Sequence, residues 1–203
     1  MSRYEIHYFP IDGRAYVSRC ILSLADQDWS NVFPQWPQAK PNYAFERLPV
    51  LKEFRGDGSI VELSESHVIE RYLAHKFGFL LDQAADPVAF AVADMLTDQL
   101  NDASESVCDF IMDMQNEVKK AAMHTKIAFV LTRHERVLAA AGTTFYFSST
   151  KMYLTDLVLH FLYKFLLQFG EHTDFDGLKF PHVMSLIKAV GVNEKILSVV
   201  NDK

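Results

Sequence analysis

Cysteine is scarce: the 203 residues hold two, Cys20 and Cys108. At that separation they form no CxxC pair, so neither a redox motif, a cysteine metal site nor a disulfide framework can be built from them. Positive charge is also short, with 20 Lys and Arg against 26 Asp and Glu, a formal net charge of -6 and no basic cluster. That balance argues against nucleic acid as a partner. No GxGxxG, P-loop or GxSxG string is present, and the eight histidines are dispersed without an HExxH pair, so the expectation is no metal. The run His172 to Gly177 approaches a calcium loop but has Val183 where the bidentate Glu belongs. Long hydrophobic runs are missing too. The most apolar window, Met152 to Phe169, is broken by Asp156, His160, Lys164 and Gln168 at intervals of four. This predicts a core helix with a polar stripe and no membrane span. Charges in the first seven residues stand where a secretory leader needs apolar ones. The expectation is a soluble, reduced, cytoplasmic protein.

What is present is ordinary globular material, 49% hydrophobic and 23% charged, which excludes wholesale disorder. Sixteen Phe and eight Tyr bring the aromatic share to 13%; a packed interior and an apolar ligand surface both account for that. The length suits one large domain or two small ones.

The chain changes texture near residue 80. Before it, short segments are separated by turns: Pro10, Pro34, Pro37, Pro41 and Pro49 all fall there. Tyr4 to Tyr8 alternates as a strand does and stops at Pro10 and Gly13. Arg14 to Ala25 has helical spacing, and Phe33 to Pro41 reads as a loop. Pro49 to Phe54 and Ser59 to Leu63 flank Gly56-Asp57-Gly58, a hairpin signal. Ser66 is then the expected N-cap of a helix whose Val68, Ile69, Tyr72 and Leu73 share a face. Beyond the loop from Phe79 to Pro87, helices are expected over Val88 to Val118, Thr125 to Ala141 and Tyr153 to Phe169, with two shorter ones after Pro181 and Asn193. The expected domains are 1–79 and 80–203, in the order β-α-(β)-β-β-α and then all-α.

Several residues invite a chemical reading beside a plain one. Tyr8 ends the first strand before a turn into a helix, where a phenol can donate to an anion near the positive helix end; it is equally an amphipathic core-edge aromatic. Leu48-Pro49 opens a strand. A trans bond there is unremarked, while a cis bond would turn the Leu48 backbone outward to pair with an extended peptide. Glu65-Ser66 is ordinary helix-start chemistry, and also the right pair for an amino-acid head group, with amides and Ser66 on the carboxylate and Glu65 on the ammonium. Trp36 and Lys40 suit either an ordinary surface loop or a second carboxylate.

Taken in order, these residues resemble a cytosolic glutathione S-transferase of the Tyr-type, sigma-like class. The resemblance is carried by Tyr4…Tyr8-Phe9-x-x-x-Gly13-Arg14-Ala15-x-x-x-Arg19, Trp36-x-x-x-Lys40, Phe45-x-x-Leu48-Pro49-Val50-Leu51, Asp57-Gly58 and Ser66-x-x-Ile69-x-Arg71-Tyr72-Leu73-Ala74. It continues through Asp94, Asp98 and Asp102, then Leu154-Thr155-Asp156 and Phe180-Pro181. It implies an α/β thioredoxin-like N-terminal domain followed by an all-α C-terminal helical domain, usually as a homodimer. By this resemblance Tyr8, assisted by Arg14, stabilises the glutathione thiolate. Trp36 and Lys40 hold the glycine carboxylate, Leu48 before a cis-Pro49 pairs with the cysteinyl unit, and Glu65, Ser66 and a partner subunit's Asp102 hold the γ-glutamyl head. Phe9, Phe110 and Met114 become candidates for an apolar acceptor pocket. The implied activity is conjugation of glutathione, as co-substrate, to small hydrophobic electrophiles in detoxification. The alternatives are glutathione-dependent isomerisation of lipid peroxides, as in prostaglandin synthases, or a non-catalytic, crystallin-like ligand carrier. No Cys replaces Tyr8 as a glutaredoxin-like enzyme would require.

Four positions depart from the pattern: Glu65 for the usual Gln, Glu46 for a Gly, Asp12 for a basic residue and Tyr153 for the Ser or Thr of a capping box. The last predicts a cap weaker by about 1 kcal/mol.

Overall fold

A computed structural model describes residues 2–201. The chain divides into two compact units, one running to Phe79 and rejoined by the segment from Asn193, the other running from Leu80 to Val192.

The first unit is built on four short strands, β1 (Arg3–His7), β2 (Asp28–Val32), β3 (Val50–Phe54) and β4 (Ile60–Ser64), in spatial order β2-β1-β3-β4. β1 runs parallel to β2, and β3 is antiparallel to both β1 and β4. The parallel pair is joined by helix α1 (Tyr16–Leu24), preceded by a 3-10 turn over Gly13–Ala15. Helix α2 (Ser66–Lys76) follows β4. Alternation buries Tyr4 and Ile6 of β1, with Leu51 and Glu53 opposite them on β3. The hairpin turn forms at Gly56-Asp57-Gly58, where Asp57 Oδ1 accepts from the Ser59 amide at 2.9 Å and its hydroxyl at 2.7 Å.

Two expectations at α2 are corrected. Ser66 is not the N-cap: that position belongs to Glu65, at φ 71°, and Ser66 begins the helix itself. Val68 does not share the buried face, being 51% exposed while Ile69 and Leu73 are at 0%. The helix is tied to the sheet by polar contacts instead. Glu53, 1% exposed, accepts from Lys76 Nζ at 2.5 Å and from the Tyr72 hydroxyl.

Helix α7 (Glu194–Asn201) packs on α1 and buries Ile196 and Val199. Lys195 Nζ pairs with Asp26 at 2.5 Å and lies 3.5 Å from the Leu24 carbonyl at the end of α1, where a cation meets the negative helix end. The segment from 193 onward thus groups with the first unit, where the sequence reading put it with the helices.

The second unit contains α3 (Pro87–Ile111), α4 (Glu117–Ala141), α5 (Leu154–Gln168) and α6 (Pro181–Gly191). Asp86 caps α3 by accepting from Val88 and Ala89, with Pro87 in the first turn. The helix expected to reach Val118 ends at Ile111. Asn116 Oδ1 accepts from the Lys119 amide at 3.1 Å and starts α4 eight residues before the expected Thr125. The expected polar stripe of α5 is also corrected: Asp156 and His160 are buried, at 0% and 4% exposure. Asp156 accepts from the amides of Tyr153 at 2.7 Å and Tyr146 at 3.0 Å, so this polar residue serves the backbone rather than solvent.

Candidate functional site

Strand register brings the singled-out residues of the first unit to one end of its sheet. His7 pairs with both Val32 and Val50, and Val50 pairs with Ser64. The next residues along or before those strands, Tyr8, Pro49 and Glu65, therefore stand at the same edge. So does the loop after Val32 that carries Trp36 and Lys40.

Tyr8 extends the ladder by donating its amide to the Val32 carbonyl at 3.1 Å. Its side chain is 7% exposed, and its hydroxyl oxygen accepts from the Arg14 amide at 3.1 Å. A phenol oxygen that accepts one hydrogen bond is polarised toward donating its own proton. The approach depends on Gly13, whose φ is 39° and whose missing Cβ would stand 2.6 Å from that oxygen. Arg14 is half-buried in the same turn.

The Trp36 loop forms an aromatic cluster. Phe9 meets Trp36 edge-on at 5.8 Å, Tyr43 lies 6.3 Å from it, and Lys40 Nζ stands 5.5 Å above its ring. Beneath them the Tyr43 hydroxyl and His7 Nδ1 are 2.9 Å apart, and His7 Nε2 lies 3.2 Å from Glu5. Burial lowers the His7 pKa, opposed by the hydrogen bond to Glu5. In its neutral form His7 can carry its proton on Nε2 toward the carboxylate and accept from Tyr43 on Nδ1. Sequence reasoning missed His7 and Tyr43. Their one signal is that Glu5 and His7 share a strand face.

The Leu48–Pro49 bond is cis, as is Trp36–Pro37; Leu48 is half-buried and Pro49 buried. Glu65 is exposed while Ser66, one residue on, is 5% exposed. The Glu65 carbonyl accepts from Val68 and Ile69, each at 3.0 Å, so the chain enters α2 with its first amides oriented outward from the helix. This is an anion-receptive end with an acidic side chain beside it.

In the second unit, Asp102 is 75% exposed and lies 3.4 Å from Lys126 Nζ. Met114, in the turn between α3 and α4, is 47% exposed. Phe110 is corrected from pocket candidate to core residue, since at 1% exposure it presents no face to a ligand. Among the described residues no group of three His, Cys, Asp or Glu is arranged to hold a metal. Among the described residues, too, no helix is long and apolar enough to cross a membrane.

No family model matches the chain. It is 39% identical over 108 residues to "Probable glutathione S-transferase 6" of Caenorhabditis elegans, covering 51% of this chain and 50% of that one. It is 32% identical over 105 residues to "Hematopoietic prostaglandin D synthase" of Gallus gallus, covering 50% and 49%. The chain thus spans about half the length of these curated relatives. Among solved structures, a Nu-class glutathione S-transferase of Haemonchus contortus superimposes with a TM-score of 0.79 at 26% identity, over 99% of this chain and 97% of that one. The monomeric Na-GST-3 of Necator americanus gives 0.80 at 24%, over 99% and 97%. The fold is that of glutathione S-transferases, a thioredoxin-like α/β unit and an all-helical one.

Proposed function

We propose that this chain, which has the glutathione S-transferase fold and glutathione S-transferases among its relatives, activates the thiol of glutathione and transfers it to small apolar electrophiles. The observation that carries the reading is the Tyr8 hydroxyl, set at the sheet edge with its oxygen accepting from the Arg14 amide at 3.1 Å.

The chemistry follows from the nucleophile. A free thiol with a pKa of about 8.5 is mostly protonated at pH 7, and the thiolate is the reactive form. Tyr8 donates its O–H to the sulfur and favours the ionised state, the thiol proton leaving to solvent, while Arg14 adds positive potential. The thiolate lone pair then forms a C–S bond to the electrophile, whose leaving group departs with its electron pair. Trp36 and Lys40 take the glycine carboxylate. Leu48 and Pro49 take the cysteinyl backbone, and Glu65 and Ser66 the γ-glutamyl ammonium and carboxylate. Asp102 reaches that ammonium from the partner subunit of a homodimer. Phe9 and Met114 are the acceptor contacts in this reading. The sigma-like class, the detoxifying role and a cytoplasmic location belong to the same proposal.

A second reading, isomerisation of a lipid peroxide, is favoured by the similarity to a prostaglandin D synthase. It uses the same thiolate and differs only in the acceptor.

The test is to titrate glutathione calorimetrically and follow the thiolate absorbance of the complex against pH, for the wild type and Tyr8→Phe. The reading expects a depressed thiol pKa that Tyr8→Phe abolishes, with turnover falling about 10- to 100-fold, the value of one hydrogen bond to a charged group. Binding without a depressed pKa marks a ligand carrier. Turnover of a lipid peroxide in preference to model electrophiles marks the isomerase.

A further inference from the structure

Arg19 places a charge where charge is costly. It stands on α1 at 3% exposure, and a buried cation is tolerated only when its donors are met. Its Nε donates to Asn31 Oδ1 on β2 at 2.8 Å. One terminal nitrogen donates to the Ile11 carbonyl at 2.6 Å and lies 3.5 Å from that of Asp12, and the other donates to the Phe9 carbonyl at 3.3 Å. The guanidinium carbon is 5.8 Å from the centre of the Tyr8 ring. Burial opposes the cation and lowers its pKa, while Asp12, 8% exposed, supplies a neighbouring negative charge that partly offsets this.

Those three carbonyls belong to the short loop between Tyr8 and Gly13. The loop's two ends are the phenol whose oxygen accepts and the turn whose Arg14 amide donates. Its path therefore sets the separation between them. The fork of a guanidinium spans several carbonyls at fixed angles, which the single point charge of a lysine does not.

We infer that Arg19 is a positioning residue for the Tyr8 hydroxyl: by pinning the Phe9–Asp12 loop to β2 it holds the Arg14 amide in donating reach of Tyr8 Oη. The inference rests on the proposed role of Tyr8 and adds what aims it. A displacement of about 1 Å at such a contact is enough to cost catalysis heavily.

The test uses Arg19→Lys, which keeps the charge and loses the fork, and Asn31→Ala, which frees one side of the guanidinium without touching the loop. Two quantities are read in each: hydrogen exchange at the Arg14 amide, and the pH midpoint of thiolate formation in bound glutathione. The expected result is Arg14 exchange faster by about tenfold, the scale of one net hydrogen bond, with the β3 and β4 amides unchanged. The midpoint moves upward by about half a pH unit, and glutathione affinity shifts by less than about threefold. A folded variant with unchanged Arg14 exchange overturns the inference. So does exchange accelerated throughout the unit, which marks a merely structural arginine, and so does local acceleration with an unmoved midpoint. If Arg19→Lys does not fold, Asn31→Ala decides. If the wild type forms no Tyr8-dependent thiolate, the proposed function fails, and Arg14 exchange alone then judges Arg19.

Discussion

A methyl group on Gly13 would stand 2.6 Å from the Tyr8 hydroxyl oxygen and 2.9 Å from its ring carbon. Both are inside any contact a real Cβ tolerates, and the φ of 39° at Gly13 adds backbone strain of about 1–2 kcal/mol for a residue with a side chain. Gly13→Ala should therefore displace the phenol and loosen the Arg14 contact. We expect a turnover loss close to that of Tyr8→Phe and a melting temperature lowered by a few degrees. Steady-state kinetics with thermal denaturation checks this, and wild-type turnover in the variant would show that the close approach is dispensable.

Glu46 raises the complementary case. It sits exposed in the loop before Leu48 at φ 49°, a conformation that suits glycine. Glu46→Gly removes the steric cost and adds some unfolded-state entropy, so the net gain is about 0.5–1 kcal/mol. Denaturant unfolding should show a higher midpoint at unchanged slope, and no gain would mean that a contact of the Glu46 side chain offsets the strain.

The departure at Glu46 was visible in the sequence as a Glu where Gly is usual, and its left-handed backbone is the physical counterpart. The strand over Tyr4, Ile6 and Tyr8 and the Gly56-Asp57-Gly58 turn were legible for similar reasons: alternation and turn chemistry are local. What escaped was set by tertiary context. The end of α3 at Ile111 has no Gly or Pro to announce it, and the break is made by Asn116 capping the next helix. Arg19, Asp156 and His7 have the composition of surface residues, yet each is buried because backbone or side-chain partners elsewhere in the chain accept or donate. Phe110 illustrates the converse, an aromatic whose residue type fits pocket and core alike and which burial assigns to the core.

Glu53 makes the hold of α2 on the sheet dependent on pH. Burial raises its pKa, but hydrogen bonds from Lys76 and Tyr72 outweigh that and bring it to about 2, below the ordinary 4.5. A carboxyl depressed in the folded state stabilises the protein above its unfolded pKa. That contribution, about 3 kcal/mol at most, is lost as pH falls from about 4.5 toward 2. Glu53→Gln should unfold more easily at neutral pH and lose this acid-range slope. A stability profile parallel to the wild type through that window would contradict the assignment.

Asp156 should titrate in the opposite sense. It is fully buried at the start of α5, and burial outweighs its bonds from the Tyr146 and Tyr153 amides, raising its pKa to about 7 from 3.8. A carboxyl raised in the folded state favours folding below its unfolded pKa and loses that advantage as pH rises through the folded value. The wild type should therefore lose stability between about pH 4 and pH 7, and the slope should vanish in Asp156→Asn, whose amide does not titrate. The two proteins should accordingly draw closer in stability across that window. Asp156→Ala removes both acceptors and leaves two buried amides without partners, so it should cost about 2–4 kcal/mol at the acid end of that window and progressively less toward pH 7. Chemical denaturation at several pH values separates these outcomes: a constant difference between wild type and Asp156→Asn would mean that Asp156 is ionised throughout and acts on α5 purely as a charged cap.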